Sequence, residues 1–337
     1  NSAEIAKLAG VSRSTVSRVI NNYPNVPPET KEKVLKVIKE YNYYPKLHAQ
    51  VLAGKKTGTI VLCIIDDGNI SNDSTSNFLI TRVIESAASV GYYVLTVVIP
   101  NINEVGAKQQ IREIFHQKRV DGGVFIGVDL QEPLIAELIT EGIIIGLFDY
   151  EKNIDAPNLL TYNFDDLNGS FAAVEYLIDL NHTDIAILLG NMKRFSGVKR
   201  LEGYKEAMKK YGLVIREEWI SGGDFNSKAG YEGAKNILRS RKLPSAIFAS
   251  NDSVAFGAMK ALNEAGLKIP EDISIIGVDD HLLSPFQEPA LTTMKVDFNT
   301  MMRDLTYDVI RSINNEDVGE SKLTKMELVI RESCCKH

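Results

Sequence analysis

"GVSRSTVSRVIN", residues 10–21, sets four aliphatic side chains, Val11, Val16, Val19 and Ile20, among two arginines and three serines. Val16, Val19 and Ile20 stand at i, i+3 and i+4, the spacing of one buried helix face, and Ser12 can cap the turn before them. Arg13, Ser14, Ser17 and Arg18 then face away from the core. Upstream, Ile5, Ala6, Leu8 and Ala9 recur at helical spacing behind Asn1 and Glu4, which have the shape of a capping box, and Gly10 stops that helix. Downstream, Pro28 suits the first turn of a third helix whose apolar stripe is Val34, Leu35, Val37, Ile38 and Tyr41. The segment reads as three short helices, the first two joined by a tight glycine turn.

Charge singles out the same segment. Residues 1–56 carry ten Lys/Arg against four Glu, a balance of +6, whereas the whole 337-residue chain stands at -6. A basic head on an acidic body favours a polyanion at one end only. Arginine is the best reader of guanine O6/N7 in a major groove, and a helix entering by its N-terminal end needs such a face. The rest of the composition is that of a globular protein of two or three domains. No apolar run approaches a membrane span, and residues 1–20 lack the basic-then-apolar pattern of a signal segment. Cys63 lies in an apolar run and Cys334 and Cys335 are adjacent, which is no disulfide framework, so the expected location is the cytoplasm.

"EIAKLAGVSRSTVSRVINN", residues 4–22, resembles the DNA-binding head of the LacI/GalR family of bacterial transcription regulators, and "YYPKLHAQVLAGK", residues 43–55, resembles the hinge that follows it. The resemblance implies that Arg13, Ser14 and Arg18 read bases while Thr15, Ser17 and Asn21 hold phosphates. It also implies that the hinge becomes helical on DNA and brings Ala49 and Leu52 to the minor groove. Residues 46–53 are too few for a helix stable alone, and apolar wedges have precedent among minor-groove binders. Lys46 and Pro27 depart from the family pattern, which has Asn after the hinge proline and often Ser or Thr capping the third helix. These features divide the chain into a head at 1–45, a hinge and linker at 46–58, and a body at 59–337.

In the body, apolar runs at 59–65, 93–98, 123–127, 143–148, 184–189, 244–249 and 273–278 alternate with helical stretches at 79–90, 107–118, 168–180, 199–211, 228–240 and 253–265. Such alternation predicts an α/β architecture of two doubly wound parallel sheets, with ligands at the C-terminal ends of the strands. "VDGGVFIG", "LEGYKEAM", "SAIFASNDSVAFGAMKALNEAGLKIPEDISIIGVDD", "PALTTMKVDF" and "ELVIRES" extend the family resemblance over nearly the whole chain. It implies a body like a periplasmic sugar-binding protein, with crossings between lobes near 158–161, 285–291 and 316–320. The N-lobe is then 59–159 and 288–317, and the C-lobe 160–287 and 318–337. The implied effector contacts are Asp149, Arg200, Phe225, Asn251 and Asp279; a guanidinium fork and a carboxylate suit sugar hydroxyls beside an aromatic wall. Asp280 reads as a cap beside Asp279.

"DDGNISNDSTSNF", residues 66–78, is polar and turn-rich and its register stays open. No HExxH, GxSxG, P-loop or ordered GxGxxG appears, the five histidines stand in separate contexts, and neither catalysis nor a cofactor or metal is expected. The residues after "VIRES" carry no leucine heptad, so a homodimer on a palindromic operator is the expectation. The expected function is repression of carbohydrate-utilisation genes under a sugar effector. A purine corepressor, with Tyr150 and Phe225 stacking on two faces, or a phosphoprotein partner remains the alternative.

Overall fold

The computed structural model describes residues 1–44, 51, 54–65, 70, 74–130, 132–151, 155–319 and 321–337. Ala49 and Leu52, and most of the hinge to which they belong, lie outside the described residues.

The head is built from α1 (Ser2–Ala9), α2 (Arg13–Ile20) and α3 (Pro28–Glu40). The Asn1 side chain accepts from the Ala3 and Glu4 amides, Glu4 answers back to the N-cap, and Gly10 ends α1 at φ 63, a conformation glycine adopts without cost. Ser12 caps α2 and Pro28 opens α3, behind a Pro27 that supplies no side-chain cap. The small core is Ile5, Ala6, Ala9, Val16, Val19 and Val34. Three members of the expected stripes do not join it: Leu8 and Leu35 are each 44% exposed and Tyr41 is 59% exposed. With only three short helices the interior is filled before these positions come round.

The N-lobe sheet joins β1 (Thr59–Ile65), β2 (Tyr93–Ile99), β3 (Gly123–Ile126), β4 (Ile145–Phe148), β5 (Leu159–Phe164) and β11 (Lys322–Thr324) in the order β11-β5-β4-β3-β1-β2, all parallel. Helices α5 (Ala107–His116) and α6 (Pro133–Thr140) bury one face; α4 (Ser74–Ser89) and α11 (Phe298–Ile313) bury the other. The C-lobe sheet joins β6 (Ile185–Leu189), β7 (Ile220–Gly222), β8 (Ala246–Ala249), β9 (Ser274–Asp279), β10 (Thr292–Lys295) and β12 (Glu327–Val329) in the order β12-β10-β9-β8-β6-β7. It lies between α7 (Asp166–Asp179) with α8 (Phe195–Lys210), and α9 (Ser227–Ile237) with α10 (Asp252–Glu264). The two-sheet expectation holds, with one refinement: β12 runs antiparallel to β10.

The crossings fall later than the sequence reading put them. β5 pairs with β4 through residue 162, so the first crossing comes at Asp165; β10 still belongs to the C-lobe, so the second comes at Val296–Asp297. The third is Lys325–Met326, between β11 and β12. Residues 160–164, 318–319 and 321–324 therefore belong to the N-lobe, and 288–295 to the C-lobe. A short buried strand reads alike in either sheet, and only pairing decides its owner. The polar stretch expected at 66–78 also resolves in part, since α4 already begins at Ser74.

Candidate nucleic-acid interface and interlobe cleft

On α2 the exposed edge is polar and little engaged. Ser12 Oγ accepts from the Thr15 amide at 3.1 Å and shares hydrogen bonds with the Ser14 and Thr15 hydroxyls. Arg13 Nε donates to Ser2 Oγ at 3.0 Å, which orients it along the N-terminal end of the helix. Ser17 Oγ accepts from the Asn21 amide group at 3.3 Å. Arg18 is exposed, and its guanidinium has no hydrogen-bond or ion-pair partner among the described residues. Arg13, Ser14, Ser17 and Arg18 are all exposed, while Thr15 and Asn21 are half-buried at the rim.

The five expected effector residues follow the C-terminal ends of strands or sit on the helix facing them. Asp149 follows β4 at φ 60 and reaches across to the C-lobe, accepting from the Ser196 amide at 2.7 Å and its hydroxyl at 3.0 Å. Burial, together with the charge of Asp166, pushes its carboxyl up to about 6 against the opposing bonds from Ser196. Arg200, on α8 and 5% exposed, donates from Nε to Asp166 at 2.6 Å and from Nη1 to the Ser250 carbonyl, and its Nη2 lies 3.5 Å from Asp279. Burial alone would lower the guanidinium, but Asp166 and Asp279 hold it above its ordinary value. Asp279 ends β9 at φ 115, a strained value for a residue with a Cβ. Phe225 lays its ring 5.7 Å from the guanidinium carbon, within cation–π range. A Cβ on Gly190 would come within 2.1 Å of that ring, so glycine there admits it.

Asn251 plays a different part. Its Oδ1 caps α10 at the Val254 amide and its Nδ2 donates to the Phe225 carbonyl, so both ends of the amide are engaged within the chain. Asp280 pairs with Arg331 at 2.5 Å rather than capping a helix. Tyr150 is 6% exposed and packed with Leu134 and Ile135 in the N-lobe core. Sequence reasoning missed Asp166, the 3%-exposed partner of Arg200, and Ser196. It also missed Asp252, whose oxygens accept from Ser284, Thr293 and the His281 amide. Asp166 was visible only as half of an acidic pair, of which Asp165 alone caps α7. Further contacts join the lobes: Arg194 Nη2 to the Ile65 carbonyl at 3.2 Å and Ser74 Oγ to His281 Nε2 at 2.5 Å.

A basic helix-turn-helix in front of a two-lobed body with a polar cleft defines a class, and comparison with known proteins agrees. The bacterial regulatory protein model of the lacI family matches residues 3–46, and a periplasmic binding protein-like domain matches residues 174–334. The chain belongs to the LacI family of bacterial regulatory proteins. It is 33% identical to the HTH-type transcriptional regulator DegA of Bacillus subtilis over 98% of this chain and 96% of DegA. It is equally 33% identical to the HTH-type transcriptional repressor PurR of Vibrio campbellii, over 99% and 98%. Among solved structures, a lac repressor dimer bound to operator and the anti-inducer ONPF matches with TM-score 0.81 at 26% identity over 99% of each chain. The transcriptional regulator CelR in complex with cellobiose matches with TM-score 0.75 at 25% identity over 99% of each. The protein is thus a DNA-binding transcription regulator with a ligand-binding body, and not an enzyme. Among the described residues no helix is long and apolar enough to cross a membrane.

Proposed function

We propose that this regulator represses carbohydrate-utilisation genes from the cytoplasm, binding a palindromic operator as a homodimer under the control of a sugar-like effector. The observation that carries the effector class is the Arg200 fork held between Asp166 and Asp279 beside the Phe225 ring. Acceptors, donors and one apolar wall suit adjacent hydroxyls. The cellobiose complex of CelR supports a sugar in a body of this shape. A purine held between two rings fits less well, because Tyr150 is committed to the N-lobe core.

In this reading Arg13, Ser14 and Arg18 contact bases, Thr15, Ser17 and Asn21 contact phosphates, and Ala49 and Leu52 enter the minor groove. The dimer face runs along Phe78 and Ile84 of α4 and Tyr93 and Val98 of the edge strand β2, all exposed here, and continues at Leu282, Leu283 and Phe286. An uncovered apolar sheet edge is what a partner would protect. Effector entering between Asp149 and Ser196 changes lobe closure, and the two linkers part or approach. Carrying the switch from mostly bound to mostly free takes roughly 5 kcal/mol of differential affinity.

Fluorescence anisotropy on duplex selected by the chain from a random-sequence pool, with cellobiose, ribose, hypoxanthine and guanine added in turn, tests the reading. Weakening by one sugar supports an inducible repressor; tightening by a purine replaces it with a corepressor mechanism. Absence of sequence-selective binding would refute the operator assignment.

A further inference from the structure

We infer that Asp121 is the positioning residue that locks the head's linker to the N-lobe, so that lobe movement reaches the DNA-binding helices. The inference rests on the regulator reading and deepens it. Asp121 stands in the turn before β3, yet its two carboxylate oxygens accept from two successive amides far away in sequence, Thr57 at 2.7 Å and Gly58 at 2.8 Å. Charge-assisted bonds to both oxygens fix direction as well as position, where a single bond would leave a swivel. Gly58 sits at φ +67, and the turn it makes there leads straight into β1.

Other contacts grip the linker on both sides of Thr57 and Gly58, over residues 56–59. The Asp121 amide donates to the Thr59 carbonyl and the Tyr93 amide to the Gly58 carbonyl, both at 2.8 Å. Lys56 Nζ donates to Asn314 Oδ1 at 2.9 Å, and the Tyr92 hydroxyl donates to the same atom at 3.2 Å. Asn314 is the C-cap of α11, the helix that begins where the chain crosses between lobes at Val296–Asp297. One rigid helix therefore runs from the crossing to the linker, a span of about 24 Å at 1.5 Å per residue. On the far side of the joint, Lys55 Nζ reaches the Ile20 carbonyl at the end of α2 at 3.2 Å. Lobe movement at one end of α11 is thus delivered to a linker that cannot slide at the other.

The test uses the full chain, a duplex it selects from a random-sequence pool, and the corresponding half-site duplex. Asp121→Ala should lose about tenfold on the full duplex and less than about twofold on the half-site, because a loosened linker lowers the effective concentration of the second head. Asp121→Asn, which keeps one acceptor, should fall between. Asn158→Ala is the control: its amide donates to the Ile139 and Ile143 carbonyls at 2.9 and 2.8 Å, so it weakens the same lobe away from the linker. Loss on full and half-sites together, or equal loss in Asn158→Ala at matched urea stability, would overturn the inference. If the unaltered chain enriches no sequence, the regulator reading fails before any variant is made, and the joint fails with it.

Discussion

The face of α2 and the floor of the cleft are both arginine sites, built to opposite rules. The exposed Arg18 guanidinium has no partner among the described residues, while Arg200 is 5% exposed and bound to Asp166, Ser250 and Asp279. A surface meant for a polyanion can leave its cations open, since water carries their charge until the partner arrives. A buried site cannot, because an unpaired charge taken out of water costs several kcal/mol. Arg200 therefore brings its own counter-charges, Asp166 and Asp279.

The largest expected effect breaks that network. Arg200→Ala leaves Asp166 and Asp279 facing each other without their cation and should cost about 3–5 kcal/mol in urea unfolding. Arg18→Ala, by the same measurement, should change stability by less than about 0.5 kcal/mol. Equal costs would mean that the two arginines do not differ in kind.

Proton linkage sharpens the same contrast. Asp149 and Asp252 are both raised from 3.8 to about 6, first by burial. The folded chain then holds these protons over a window where the unfolded chain has released them. Their contribution to stability is complete below the unfolded value of 3.8 and is lost as pH rises through about 6. Carboxylates held low by a cation, such as Glu137 beside Arg112, slope the other way, so the difference between variants is the quantity to read. Asp149→Asn should flatten the fall in unfolding free energy between about pH 4 and 6, and an unchanged slope would show that the carboxylate is already ionised there.

On DNA the ranking inverts. Arg18→Ala should cost about 1–3 kcal/mol of selective binding and relax preference at one base position if its contact is bidentate. Anisotropy on matched and singly altered duplexes distinguishes this from a uniform loss, which would reassign Arg18 to a phosphate.

The open site was far more legible in the sequence than the closed one. Helical period and capping residues are local, so the order of α1, α2 and α3 and the outward set Arg13, Ser14, Ser17 and Arg18 followed from a few neighbouring letters. Arg200 and Asp166 lie 34 positions apart on different helices, and no period links them. The family resemblance could point to Arg200, Phe225 and Asp279, but not to the partner that keeps Arg200 charged. It gave Asn251 an effector role without showing that its amide is engaged in capping α10 and tethering Phe225. The crossings slipped for a similar reason, since "LLTYNF" at 159–164 is a short strand buried along its whole length, and its letters do not say which sheet it joins. Leu8, Leu35 and Tyr41 were misread because periodicity marks a face without saying how much core there is to receive it.

The smallest expected effect asks whether head and body are separate at all. Ser12 Oγ caps α2, and it also ties the Ser14 and Thr15 hydroxyls. Ser12→Ala should cost about 1 kcal/mol, the usual loss for an N-cap. A head whose core is Ile5, Ala6, Ala9, Val16, Val19 and Val34 has little stability to lose, so even this should show as faster amide exchange at Val16 and Val19. The body, with four clusters of its own on its two sheets, should exchange unchanged. Ser12→Asp retains an acceptor at the cap and should restore the rate. If β1 and β9 amides accelerate along with α2, the chain opens as one cooperative unit through the Thr57–Gly58 joint, and the open and closed arginine sites share a single stability.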